Sequence, residues 1–239
     1  MYTIVNIFCL LFIIGIHEYG HLFFAKKFGL EVTQFSIGFG PKLFSFFKNG
    51  TTFSLRLIPF GGYVALPPEK EIAKLPLWKQ VMISAGGPLA NLLTCVAIGF
   101  YLRGFNGMFD TVWIFMMLVP LSMISLAAIV IHPIAGLNMI GGPIALFSGN
   151  AIPDEMLAGL PMWRQALATV YFLSLLIGSF NLIPISILDG GRIFQSLLYP
   201  FPRFIKVWRV TTGFLLAGLV LYAIGGDIIK LVFKITVNK

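Results

Sequence analysis

The 239 residues are 58% hydrophobic and only 11% charged, with a formal net charge of +8 and a mean hydropathy of +0.91. An ordinary soluble domain carries about 25% charged and 45–50% apolar residues, so this composition excludes a water-soluble fold. It also argues against nucleic acid as the partner of the positive charge. Eight of the 17 Lys and Arg residues fall within 26–79 and four within 192–209, and basic residues sorted by loop are what the positive-inside rule produces.

Four stretches approach the roughly 20 apolar residues that a bilayer-spanning helix needs. They are Tyr2–Ala25, Val81–Leu102, Ala166–Leu188 and Val210–Ile229. The charge sorting places 26–79 and 192–209 in the cytoplasm and both termini outside. The expected architecture is therefore an all-α polytopic membrane protein of one domain, residues 1–239, with four core transmembrane helices. The first apolar stretch has no basic leader and carries ionisable residues, so it reads as a retained helix rather than a removable signal peptide. Cys9 and Cys95 fall inside apolar stretches, which speaks against a disulfide framework.

The first stretch contains His17-Glu18-Tyr19-Gly20-His21. Residues four apart share one helix face, so both imidazoles can reach one Zn2+ ion. The intervening Glu18 is then placed to act as general base. Ionisable groups within a membrane are costly and are usually functional.

Gln34–Leu66 follows. Aromatic and polar residues alternate on both sides of Asn49-Gly50, a strong short-range hairpin signal. On the residues alone, this hairpin lies either in the cytoplasm or at membrane depth against protein or a wet cavity. Pro67–Lys79 is charged and proline-rich and reads as a linker or an interfacial segment. The second helix opens with Gly86-Gly87-Pro88-Leu89-Ala90-Asn91, small residues that permit close helix contact. Asn91 reads there mainly as interhelical glue.

Thr111–Ile131 raises a question of parity. His17, His21 and a third ligand meet at one depth only if the chain crosses an even number of times between 102 and 164. The segment 111–148 therefore either lies in the interface, dips and returns, or pairs Thr111–Ile131 with Pro133–Phe147 as a hairpin.

Catalytic zinc takes three protein ligands. His132 stands before Pro133 and reads as an interfacial residue. Asp189 is the better third ligand, at the cytoplasmic end of the third helix. There Pro184 interrupts the helical ladder and Gly190-Gly191 frees the turn.

Together these motifs resemble the site-2 protease family of intramembrane zinc metalloproteases, nearest the bacterial branch of the regulator-of-sigma-E protease. The matching residues run in the family's order: His17 to His21, Phe39-Gly40-Pro41 through Pro59-Phe60-Gly61-Gly62-Tyr63-Val64, Gly87 to Asn91, Gly142-Pro143-Ile144, and Asn181 to Gly190. The resemblance implies that the hairpin is membrane re-entrant and offers a strand edge to substrate. It implies that Asp189 is the third ligand and that Asn181 and Pro184 hold an unwound substrate beside the metal. It further implies cleavage of single-pass transmembrane proteins or signal-peptide remnants, within the lipid of a bacterial cytoplasmic membrane and toward its cytoplasmic side. The chain departs from the family in two places. Ser186 stands where a second proline is common, and Leu102–Gln165 is too short and too apolar for a PDZ domain. Two other classes fit parts of the pattern, a metal-ion transporter and a non-catalytic binder of transmembrane helices. The first lacks paired half-repeats, and the second has no need of Glu18.

Overall fold

The computed structural model describes residues 2–131, 159–199 and 201–237. Helix α1 runs Tyr2–Lys27, an unbroken apolar stretch closed by Lys26 and Lys27. Strands β1 (Gln34–Lys48) and β2 (Thr51–Val64) come next. They are followed by a single turn of helix, α2 (Glu69–Ile72), and by α3 (Leu77–Ile131). Helix α4 spans Met162–Asn181, α5 Asp189–Leu197 and α6 Pro202–Val237. Among the described residues, two segments are long and apolar enough to cross a membrane, Ile4–Lys27 and Leu77–Ile124. Phe8, Leu93, Trp113 and Phe214 are all more than half exposed, as side chains bathed in lipid would be.

Helix α3 is two arms rather than one rod. Gly104 has φ 62° and ψ −148°, a region essentially open only to glycine, and the chain reverses there. Gly99 and Gly107 then meet backbone to backbone. The returning arm packs Phe115 against Cys95 and Leu175, and Thr111 shares a hydrogen bond with the Tyr171 hydroxyl of α4 at 3.0 Å. Thr111–Ile131 is thus helical, and its first turns fold back against the arm before it. The rest of that expectation, including Pro133–Phe147 and Gly142-Pro143-Ile144, falls outside the described residues.

The expected helix ends also move. The third spanning helix stops at Asn181 rather than Leu188, because the turn around Pro184 cannot continue the ladder. The last helix extends well beyond 210–229 at both ends.

The hairpin turns at Asn49 (φ 49°) and Gly50 (φ 76°), and Lys48 pairs with Thr51 as expected. The sheet is nevertheless more than a hairpin. Residues 44–48 pair with 51–55 with partner numbers running in opposite directions, while 34–37 pair with 52–55 with numbers rising together. Residues 35–37 pair as well with 62–64. Each strand therefore doubles back on itself, and the sheet is four segments wide, in the order 44–48, 51–55, 34–37, 62–64. The turn at Asn49 lies at the end of α1, where the Lys26 ammonium donates to its carbonyl at 3.0 Å. Ile37 and Gly62 lie further along α1, against Gly15 and Ile14. Leu22, Ala25, Val32 and Phe35 form the apolar seam between helix and sheet.

A second seam of Cys9, Ile13, Ile98, Val170 and Leu173 joins α1, α3 and α4. Where α1 crosses α3, Gly20 and Gly86 face each other with no room for a side chain on either. That close crossing sets the spacing of the site described next.

Candidate metal centre

His17 and His21 project from one face of α1 toward α3 and α5, and both are buried. Asp189 reaches them from 172 positions away. It is the first residue of α5 rather than the last of a spanning helix, and the chain gets there through a tight turn. Leu182 and Ile183 bond back to Ser179 and Phe180, and Leu188 to Ile185. Gly190 and Gly191 let the first turn of α5 lie directly under the carbonyls of Leu182, Ile183 and Ile185. Asp189 is thereby held, itself buried, against the imidazole pair.

The three donor atoms form a tight triangle. His17 Nε2 lies 3.0 Å and His21 Nε2 3.2 Å from Asp189 Oδ2, and the two Nε2 atoms are 3.4 Å apart. A tetrahedral ion with ligands at about 2.0–2.1 Å has ligand–ligand edges of about 3.3 Å. Two imidazoles and a carboxylate are also a donor set that zinc accepts in catalytic sites. Among the described residues this is the one cluster of three or more such side chains suited to an ion. The third histidine, His132, lies outside the described residues.

Gly87 supplies the roof. A Cβ built there would sit 2.5 Å from both Nε2 atoms, so the space in front of the ligands exists because residue 87 has no side chain. The backs of the rings are also held by α3. His21 Nδ1 donates to the Ile83 carbonyl at 2.8 Å. The Asn91 side chain lies 3.3 Å from His17 Nδ1 and is fully buried. Asn91 does link two helices, as expected, but it does so by touching a metal-ligand candidate.

Glu18, next to His17 on α1, is half-buried. Its Cγ packs over Gly62, where a Cβ would come within 2.8 Å, so the outer segment 62–64 runs past this carboxylate. Asn181 donates to the Ile177 carbonyl of its own helix at 2.9 Å and is not drawn into the donor triangle. Pro184 is half-buried in the turn before α5, between the buried Ile183 and Ile185.

Two site residues escaped the sequence reading. Gly87 was legible as a small residue, but only the helix crossing shows what its smallness admits. Arg56 had been counted with the cytoplasmic charges. It also ties segments of the sheet together: Nε donates to Ser36 Oγ at 2.9 Å, Nη1 to the Gly40 carbonyl at 2.7 Å and Nη2 to the Tyr63 hydroxyl at 3.1 Å. An arginine between Leu55 and Leu57 in a strand read as re-entrant was the available signal, since such charges at depth are rarely idle.

Residues 5–224 match the family described as Peptidase family M50. The chain is also similar to named proteins over shorter stretches. It is 55% identical over 69 residues to the zinc metalloprotease RasP of Oceanobacillus iheyensis, covering 28% of this chain and 16% of that one. It is 54% identical over 54 residues to a putative zinc metalloprotease of Staphylococcus aureus, covering 23% and 13%. A putative zinc metalloprotease of Thermotoga maritima is 39% identical over 93 residues, covering 34% and 19%. The chain thus aligns with less than a fifth of each relative's length.

Proposed function

The chain belongs to peptidase family M50, and from that premise we propose that it is an intramembrane zinc metalloendopeptidase, hydrolysing peptide bonds within the membrane-spanning segments of other proteins. The observation that carries this reading is the convergence of His17, His21 and Asp189 on a triangle of 3.0–3.4 Å, buried within an apolar bundle. The names of the similar proteins above, all zinc metalloproteases, support zinc as the ion.

The three side chains would hold Zn2+ through His17 Nε2, His21 Nε2 and the Asp189 carboxylate. Bound zinc supplies Lewis acidity, which activates water and polarises a scissile carbonyl. The Glu18 carboxylate would take a proton from the attacking water and pass it to the leaving amine nitrogen. The apolar wall of α1, α3 and α4 limits water around these groups. Gly62–Val64 is an edge segment of the sheet, paired on one side with 35–37 and running past Glu18. An extended substrate added to that edge would present its peptide bonds beside the carboxylate, whereas a helix keeps them covered. Asn181 and Pro184 are assigned the family's role of steadying the unwound segment next to the metal.

The proposed membrane arrangement uses four core helices, α1, the first arm of α3, α4 and α6, with the doubled-back sheet entering the bilayer beside α1. The His pair lies near the Lys26–Lys27 end of α1, which supports a site toward the cytoplasmic side of a bacterial inner membrane. The substrates are single-pass transmembrane proteins or signal-peptide remnants. The test compares wild type with Glu18→Gln on a model transmembrane substrate. Cleavage should fall by about 10²–10⁴-fold, the usual worth of a general acid–base, with zinc content unchanged. Equal cleavage by the two would end the assignment.

A further inference from the structure

The two imidazoles present their nitrogens in the same sense: Nε2 toward the donor triangle and Nδ1 toward α3. For His21 the consequence is settled by chemistry. The Ile83 carbonyl can only accept, so His21 Nδ1 carries the hydrogen and Nε2 keeps its lone pair for the centre. For His17 the partner is the side chain of Asn91, and an amide can present either end.

With Asn91 Nδ2 turned to the ring at 3.3 Å, the amide would donate to His17 Nδ1. The ring hydrogen would then sit on Nε2, aimed at Asp189 and unable to offer a lone pair. The same orientation leaves Asn91 Oδ1 buried and without a hydrogen-bond partner. Oxygen and nitrogen of such an amide are assigned from the network around them. Rotating the amide brings Oδ1 to His17 Nδ1, gives it a donor, and frees Nε2. The side chain is confined to this place, because its Cβ abuts Gly178 of α4, where an added methyl would lie 3.0 Å away.

We propose that Asn91 is a positioning residue for the metal site: its Oδ1 accepts the Nδ1 hydrogen of His17, fixing the tautomer and ring plane that present Nε2 to the ion. Ile83 does the same for His21 with a backbone oxygen, so α3 holds both rings from behind. The inference deepens the metalloprotease reading and rests on it. Partners of this kind typically govern metal affinity by about 10–100-fold, and of the two described here Asn91 is the one that mutation can remove.

The experiment uses the full chain in detergent, with zinc affinity measured by competition against a chromophoric chelator and with the visible spectrum of the cobalt(II)-substituted protein. Asn91→Leu keeps the volume and removes the acceptor, whereas Asn91→Asp keeps an acceptor. Asn91→Leu should weaken zinc binding by about 10–100-fold and shift the cobalt spectrum. Asn91→Asp should stay within a few-fold of wild type and keep its spectrum. Wild-type affinity in Asn91→Leu, or equal losses in both variants, would overturn the proposal. Should Asn91→Leu fail to fold, 15N-histidine spectra of the zinc-free wild type decide the matter. His17 protonated at Nδ1 supports it and protonation at Nε2 overturns it. A wild-type chain that neither binds zinc nor cleaves would sink this inference and the metalloprotease reading together. Normal zinc binding and cleavage with an indifferent Asn91 would sink this inference alone.

Discussion

Replacing Gly87 by alanine adds one methyl to a helix, at the point where its cost is greatest. The new Cβ would lie 2.5 Å from His17 Nε2, 2.5 Å from His21 Nε2 and 2.6 Å from His17 Cε1. An ion held at about 2.0–2.1 Å from both nitrogens would occupy the same space as that methyl. In the metal-free protein the balance is different. Alanine is favoured over glycine in a helix interior by about 1 kcal/mol, while forcing a methyl into a packed site costs about 1–3 kcal/mol. Gly87→Ala should therefore leave the metal-free fold between unchanged and about 2 kcal/mol weaker. It should weaken zinc binding by more than the about 10–100-fold that loss of an outer partner costs. Thermal unfolding of the chelator-treated protein measures the first quantity, and elemental analysis with chelator competition measures the second. Wild-type zinc affinity in a folded Gly87→Ala protein would refute the placement of the ion between the imidazoles and α3.

Two further substitutions probe the same architecture. Asp189→Ala removes the one ligand not on α1 and should leave the purified protein with little or no zinc; full retention would take Asp189 out of the ligand set. Arg56→Lys keeps the charge, but a single ammonium cannot serve three acceptors spread along both bends. The edge segment should loosen, with zinc content unchanged and KM for a transmembrane substrate raised several-fold at nearly constant kcat. An unaltered KM would show that the three hydrogen bonds do not set the edge.

The chemistry was more legible in the sequence than its framing. His17, Glu18 and His21 fall within five consecutive residues, and helix periodicity alone puts the two imidazoles on one face. Asp189 was found from donor type and expected depth, yet its setting was misjudged. Hydropathy counts apolar residues and therefore ran the third helix through Ile183, Ile185 and Leu188. Pro184, and the short turns that bond Leu182, Ile183 and Leu188 back onto the chain, stop it at Asn181 instead. The hairpin was announced by Asn49-Gly50, but the second pairing of 34–37 with 52–55 is a contact between segments that no local pattern encodes. Gly104 stood within a polar-flanked gap as one glycine among 25, and only its backbone angles reveal a reversal. Gly87 and Asn91 were both read as residues for helix contact, which they are. That the contact is made at the ligands depends on where α1 crosses α3.

The distance along the chain between the imidazoles and Asp189 bears on how such a protein comes into being. During synthesis His17, Glu18 and His21 are made well before the residue that completes the donor triangle, which lies 172 positions beyond His17. The clamp from α3 arrives in between. A half-made chain would thus hold the proposed base and two of the three donors, with the triangle incomplete until Asp189 has been added. If the chain is the hydrolase proposed above, the order of translation acts as a safety catch, since the site is unfinished until α5 has been made.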